Sequence, residues 1–344
     1  MSSAHRFMQL IAFVFGFLCW LPLFLAGLPL ILVGILTKFF KAVWLRLAPK
    51  PVSWQNLIEY MPEVGWKPRA NMNAHVRVDG VYRLTTDRHG WRGSAKIDDC
   101  NVVVFGDSYA FGYGVDDKDY FANHADGLRI KAIGVNGYNM VQELWWMHRL
   151  KPKLKDKLVV WFVYHGNDLL ENLTPNLAHY RMPFLRLDAS TQSWQIVTDH
   201  VSAKPWTTSK ARDYYKSLAT YCQPSRAPER IFDACAFLIK EGKSVCEDTH
   251  SQLVVMSIPD VTQIVPSHAH VLTSFLSDSA DFDPDYPDKK LKAICDGLSI
   301  PFVTLKDYLS AEDHKSRDPH WNAGGHYKVA AAIQESYRKY HPLA

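Results

Sequence analysis

Five residues have the types and spacing for nucleophilic chemistry. Ser108 sits in "VVVFGDSYAFGYGV", where a β-branched run stops at Gly106-Asp107-Ser108. A serine nucleophile needs a base within hydrogen-bond reach, a group that orients the base, and donors aimed at the developing oxyanion. His320 is the candidate base, and Asp318, two residues earlier, is the candidate to fix its tautomer. The backbone N–H groups of Ser108 and Gly137 and the side-chain amide of Asn167 are the candidate oxyanion donors. Taken singly, Gly-Asp-Ser, Asn-Gly and Gly-Asn-Asp are ordinary turn sequences. Their order along the chain raises the odds, because each follows a different apolar run.

Those runs are the elements that must position the five. "NVVVF" (101–105), "RIKAIGV" (129–135), "LVVWFVY" (158–164), "QLVVMSI" (252–258) and "IPFVTL" (300–305) read as buried strands. Helical patterns lie between and after them, over 139–150, 288–298 and 323–340. Strands alternating with helices predict a parallel sheet covered on both faces. Open sheets of that kind hold ligands at the carboxyl ends of their strands, where the polar clusters fall. Residues 52–100 form a β-rich lead-in, with a hairpin expected around the Asp-Gly pair in "VRVDGVYRL". An insertion at about 171–250, containing a hairpin near 180–197 and a helix near 228–242, is expected to cap or shape a cleft.

The four blocks resemble the SGNH hydrolases, also called GDSL esterases and lipases. "FGDSYAFGYGV" matches the nucleophile block, "IGVNGYN" the oxyanion-glycine block, "YHGNDLLEN" the oxyanion-asparagine block and "DPHWNAGGH" the acid–base block. The resemblance spans roughly residues 100–340. It implies a flavodoxin-like three-layer α/β/α sandwich and metal-free ester chemistry with no cofactor. It assigns Ser108, His320 and Asp318 as catalytic, with Ser108, Gly137 and Asn167 as the oxyanion hole. "TTDRHGWRG" (85–93) is similar to a segment that precedes the first block in membrane-anchored bacterial members. One departure stands out. The family spaces acid and base as Asp-x-x-His, whereas here a single residue, Pro319, separates them. Either Asp318 or a backbone carbonyl orients the imidazole.

The remaining sequence bounds the setting. The chain has 344 residues, 47% apolar and 22% charged, with formal net charge +4. This excess is too small and scattered to suggest a nucleic-acid partner. Residues 7–37 carry no charge, enough for a bilayer span of about 20 apolar residues. Pro22 and Pro29 leave a kinked or re-entrant helix open. Residues 1–51 are therefore expected to form a membrane anchor followed by a basic interfacial helix. Lys38, Lys41, Arg46 and Lys50 place the C-terminal part in the cytoplasm by charge bias, whereas the resemblance implies the periplasmic side of a bacterial inner membrane. Five cysteines outside the apolar run show no disulfide framework and no zinc spacing. Asp116, Asp117 and Asp119 read as a solvated acidic loop, and Trp145 and Trp146 as core or helix surface rather than a sugar platform. The expected activity is removal of O-acyl groups, acetyl foremost, from a glycan or lipid-linked glycan. The alternatives are an O-acyltransferase using the same residues and a non-catalytic glycan-binding or assembly subunit.

Overall fold

Five short strands make the central sheet: β1 (Val102–Gly106), β2 (Ile130–Gly134), β3 (Leu158–Tyr164), β4 (Gln252–Ile258) and β5 (Phe302–Thr304). The computed structural model describes residues 8–9, 11–17, 33–40, 51–77, 80–177, 180–203, 214–316 and 318–341. The strands are all parallel, in the order β5-β4-β3-β1-β2. That is the flavodoxin-like order, whose switch point lies between β1 and β3.

The sequence explains the burial. β1, β2 and β3 are buried at every position, as expected for strands covered on both faces. Alternate residues serve two separate cores. Val103, Phe105, Val159, Trp161 and Val163 pack under the helices Met140–Leu150 and Glu229–Glu247. Val102, Val104, Leu158, Val160 and Phe162 pack against Val329 and Ile333 of the helix Ala323–Tyr340. The three layers are the expected sandwich. The helix Met140–Leu150 starts on a capping box, with Asn139 and Gln142 each bonding the other's backbone N–H.

The chain divides into two units, residues 1–50 and residues 51–344. The lead-in belongs to the second, where Trp66, Val76, Tyr82 and Leu84 join the core beneath the helix Met140–Leu150. It contains two antiparallel hairpins, Ile58–Met61 with Gly65–Pro68 and Asn73–Arg77 with Val81–Thr85. Between β3 and β4 lie the hairpin Phe184–Leu187 with Trp194–Val197 and the helices Tyr214–Tyr221 and Glu229–Glu247. The last of these is the crossover helix, so the added material is the stretch 171–228. Among the described residues no helix is long and apolar enough to cross a membrane. The anchor expected over 7–37 and the interfacial helix expected to residue 51 fall largely outside the described residues.

Cys100, Cys222, Cys235, Cys246 and Cys295 are free thiols, all buried. Burial pushes Cys235 and Cys246 up to about 12, so neither is a ready nucleophile.

Candidate active site

Ser108 lies two residues past the end of β1 and opens a four-residue helix, Ser108–Phe111, which Gly112 closes at φ 74°. Asp107 caps that helix, its carboxylate accepting the Tyr109 N–H at 2.9 Å. Burial raises the Asp107 carboxyl, against the Tyr109 N–H and the other groups around it. Glycine is required where β2 ends beside this turn. A Cβ at Gly134 would overlap the Gly106 carbonyl and lie 2.9 Å from the Asp107 carbonyl oxygen.

His320 reaches Ser108 from the other end of the domain's sequence, 212 residues away, with Nε2 2.7 Å from the serine Oγ. Its Nδ1 lies 2.5 Å from Asp318 Oδ1. The same Oδ1 accepts the backbone N–H of His320 at 2.9 Å. This double acceptance shows how Asp-x-His brings carboxylate and imidazole together across a single intervening residue: one carboxylate oxygen turns back onto residue i+2 and holds both its N–H and its ring. Nδ1 therefore carries the proton, Nε2 is the acceptor, and the Ser108 hydroxyl donates to it. The second contact of Ser108 Oγ, to Asp107 Oδ2, is longer at 3.2 Å. Burial would raise the Asp318 carboxyl, but the hydrogen bond and charge of His320 outweigh it and hold it below the ordinary carboxylate range.

Asn167 follows β3, at the opposite side of the switch point. Its Nδ2 donates to Asp107 Oδ2 at 3.0 Å and to the Tyr138 carbonyl at 3.3 Å. It thus ties the turn carrying Ser108 to the loop carrying Gly137, which has φ 76°. The backbone N–H groups of Ser108 and Gly137 have no acceptor among the described residues. Behind Asn167, Asp168 Oδ2 accepts the Tyr164 N–H at 2.7 Å. Burial holds Asp168 and Glu143 well above the ordinary carboxyl range.

Several residues that shape the site carry no signal in the sequence pattern. Tyr109 and Tyr113 pack on His320 at ring-centroid distances of 4.7 and 4.8 Å. The Tyr109 hydroxyl also donates to the Pro319 carbonyl at 2.9 Å, fixing the loop of His320 to the residue after Ser108. Arg92 is 1% exposed and braces the turn beyond Ser108. It donates to the carbonyls of Phe111, Gly112 and Val115, pairs with Asp117 at 2.8 Å and lies over the Tyr120 ring. The signal that could have found it is an arginine inside "GWRG", flanked by residues expected to be buried. Asp117 is accordingly not a solvated acid, and Asp116 accepts the Arg83 N–H at 2.7 Å. His165, near Asn167 in sequence, points away from this site. It is fully buried, 2.7 Å from Ser257 Oγ and 3.0 Å from Gln263 Oε1.

No family model and no curated protein matches the chain. Solved structures do. The chain is similar to esterases of the GDSL type. A GDSL-like lipase from Bacteroides thetaiotaomicron is 12% identical, with 72% of this chain and 92% of that one covered at a TM-score of 0.37. An aryl esterase from M. smegmatis is 10% identical, with 70% and 98% covered at a TM-score of 0.40. A carbohydrate acetylesterase from Sinorhizobium meliloti is 11% identical, with 69% and 98% covered at a TM-score of 0.39. Likeness at this level assigns no residue a role.

Proposed function

We propose that this chain is a serine ester hydrolase in which Ser108 is the nucleophile, His320 the general base and Asp318 the orienting carboxylate. The observation that carries the reading is His320 standing between Ser108 Oγ at 2.7 Å and Asp318 Oδ1 at 2.5 Å, with its tautomer fixed by the latter. The Ser108 proton passes to Nε2 as Oγ bonds to the ester carbonyl carbon. The carbonyl oxygen gains the negative charge and is met by the N–H groups of Ser108 and Gly137. The Asn167 amide completes the hole by giving up its longer bond, the 3.3 Å contact to Tyr138. His320 then returns the proton to the leaving alkoxide, and water releases the acyl group by the reverse sequence.

The finer reading is a membrane-anchored enzyme that removes O-acyl groups, acetyl foremost, from a glycan or lipid-linked glycan. The uncharged run over 7–37 and the resemblance of the four sequence blocks support it. A fluorophosphonate probe tests the chemistry: it labels the wild-type chain at neutral pH and fails to label Ser108→Ala. Labelling that persists in Ser108→Ala would sink the assignment. Acetate release from acetylated polysaccharide, lost in Ser108→Ala, tests the substrate class. Acetyl transfer to an added sugar in place of acetate release would replace hydrolysis by the transferase reading.

A further inference from the structure

The ester chemistry leaves unused a cavity of about 790 Å³ at the opposite end of the sheet. Its wall includes Ile97 and Asp98 before β1, Lys131 near the start of β2, and Leu150 to Lys153 before β3, apart from Lys151. Ser108, Gly137 and Asn167 all follow the carboxyl ends of those strands. Two kinds of surface meet in the cavity. Trp91 and Trp146, with rings perpendicular at 4.7 Å, form an apolar floor that Met61, Ile97 and Leu150 extend. Around it stand six cationic side chains against two acids, in a chain whose whole formal charge is only +4.

The acids do not neutralise that wall. Asp87 is spent on Lys131, 1% exposed and 2.9 Å away, and Asp98 on Lys153 at 2.5 Å. Lys67 pairs with Glu59 at 3.0 Å. Arg88, Lys96 and Arg149 have no carboxylate partner among the described residues. Two of these three are arginines, whose planar fork matches a phosphate in two-point contact. Lys131, buried in the otherwise apolar strand "IKAIG", is held in place by its pair with Asp87, which makes that end of the wall a fixed, built surface rather than a loose fringe.

We infer that this cavity binds a phosphate ester carried on an apolar group, with the phosphate on Arg88, Lys96 and Arg149 and the apolar part on Trp91 and Trp146. The site is separate from Ser108, and its occupancy does not depend on the ester chemistry. The ligand is either a lipid headgroup with its first acyl carbons or a soluble phosphorylated amphiphile; the chemistry recognised is the same.

The test uses the full chain in neutral detergent and calorimetric titration with dihexanoyl phosphatidic acid as monomer. Binding is expected, at least tenfold weaker for Arg88→Gln/Arg149→Gln, and unchanged for Ser108→Ala. The double variant should hydrolyse a generic ester at the wild-type rate, which shows that it is folded. Dihexanoyl phosphatidylcholine and inorganic phosphate should each bind at least tenfold more weakly. Vesicles carrying long-chain phosphatidic acid separate the sources. Retention that weakens in the double variant supports a lipid headgroup, and monomer binding without such retention supports a soluble ligand. Inorganic phosphate binding as tightly as the amphiphile, or a double variant that binds like wild type, would overturn the inference.

Discussion

Asp318→Asn separates two jobs that one oxygen performs. Asp318 Oδ1 accepts the His320 backbone N–H at 2.9 Å and Nδ1 at 2.5 Å. An asparagine can satisfy both donors only by placing its own oxygen there, so the imidazole keeps its tautomer and only the negative charge is lost. That charge acts on the imidazolium formed as Ser108 attacks. Charge centres about 4 Å apart at an effective dielectric constant near 20 attract by about 4 kcal/mol. The two side chains are 14% and 23% exposed, so solvent screening reduces this to about 2–3 kcal/mol. At about 1.4 kcal/mol per factor of ten, kcat should fall about a hundredfold. The assay is p-nitrophenyl acetate hydrolysis at saturating substrate, corrected for the rate of Ser108→Ala. A fall of less than threefold would show that the carboxylate charge is not used. A fall of about 10⁴-fold, the cost of a reversed tautomer, would show that the backbone N–H does not pin the oxygen.

Three further outcomes follow from packing and charge. Arg92→Met should destabilise the fold by about 3 kcal/mol in urea unfolding, the low end for a broken buried pair because Asp117 is partly exposed. An effect under 1 kcal/mol would count against the brace. Gly242→Ala puts a methyl group into Trp161 and 3.4 Å from Met147 Sδ, so it should cost about 1–3 kcal/mol by the same measurement, and a neutral result would mean that the sheet yields there. His326 is held well below its ordinary range by burial and then by Arg92 and the other nearby cations, while the unfolded imidazole takes a proton near 6.5. The unfolded chain therefore binds more protons below about pH 6.5, and His326 subtracts about 1.4 kcal/mol of stability per pH unit as pH falls. The stability difference between wild type and His326→Asn should shrink or reverse with that slope from pH 6.5 to pH 5; a flat difference would refute it.

The sheet was legible because burial on both faces leaves a plain mark. "LVVWFVY" is uninterrupted, and β3 and β4 occupy Leu158–Tyr164 and Gln252–Ile258 as their runs suggest. The helix over 323–340 was equally plain, with Asn322 capping it. The polar residues at the strand ends could be read as a group because sheet order gathers those ends. What stayed hidden is what touches across the chain rather than along it. Nothing local says that Arg92 ends under the turn after Ser108, or that Tyr109 holds the loop of Pro319. Spacing alone made Asp-x-His look irregular, because the sequence does not display the Asp318 oxygen folding back on two donors of one residue. In the stretch 171–228 only the hairpin near 180–197 was legible, realised as Phe184–Leu187 with Trp194–Val197; the two-residue strands Asn176–Leu177 and Tyr180–Arg181 leave no period to read.

The 212-residue separation of Ser108 and His320 also sets a clock. At about 5–20 residues per second of synthesis, His320 leaves the ribosome roughly 10–40 s after Ser108. Over that interval Ser108 has no His320 imidazole to take its proton. On the proposed mechanism a fragment ending before residue 318 should therefore fail to react with a fluorophosphonate probe, however well its turn at Ser108 is formed.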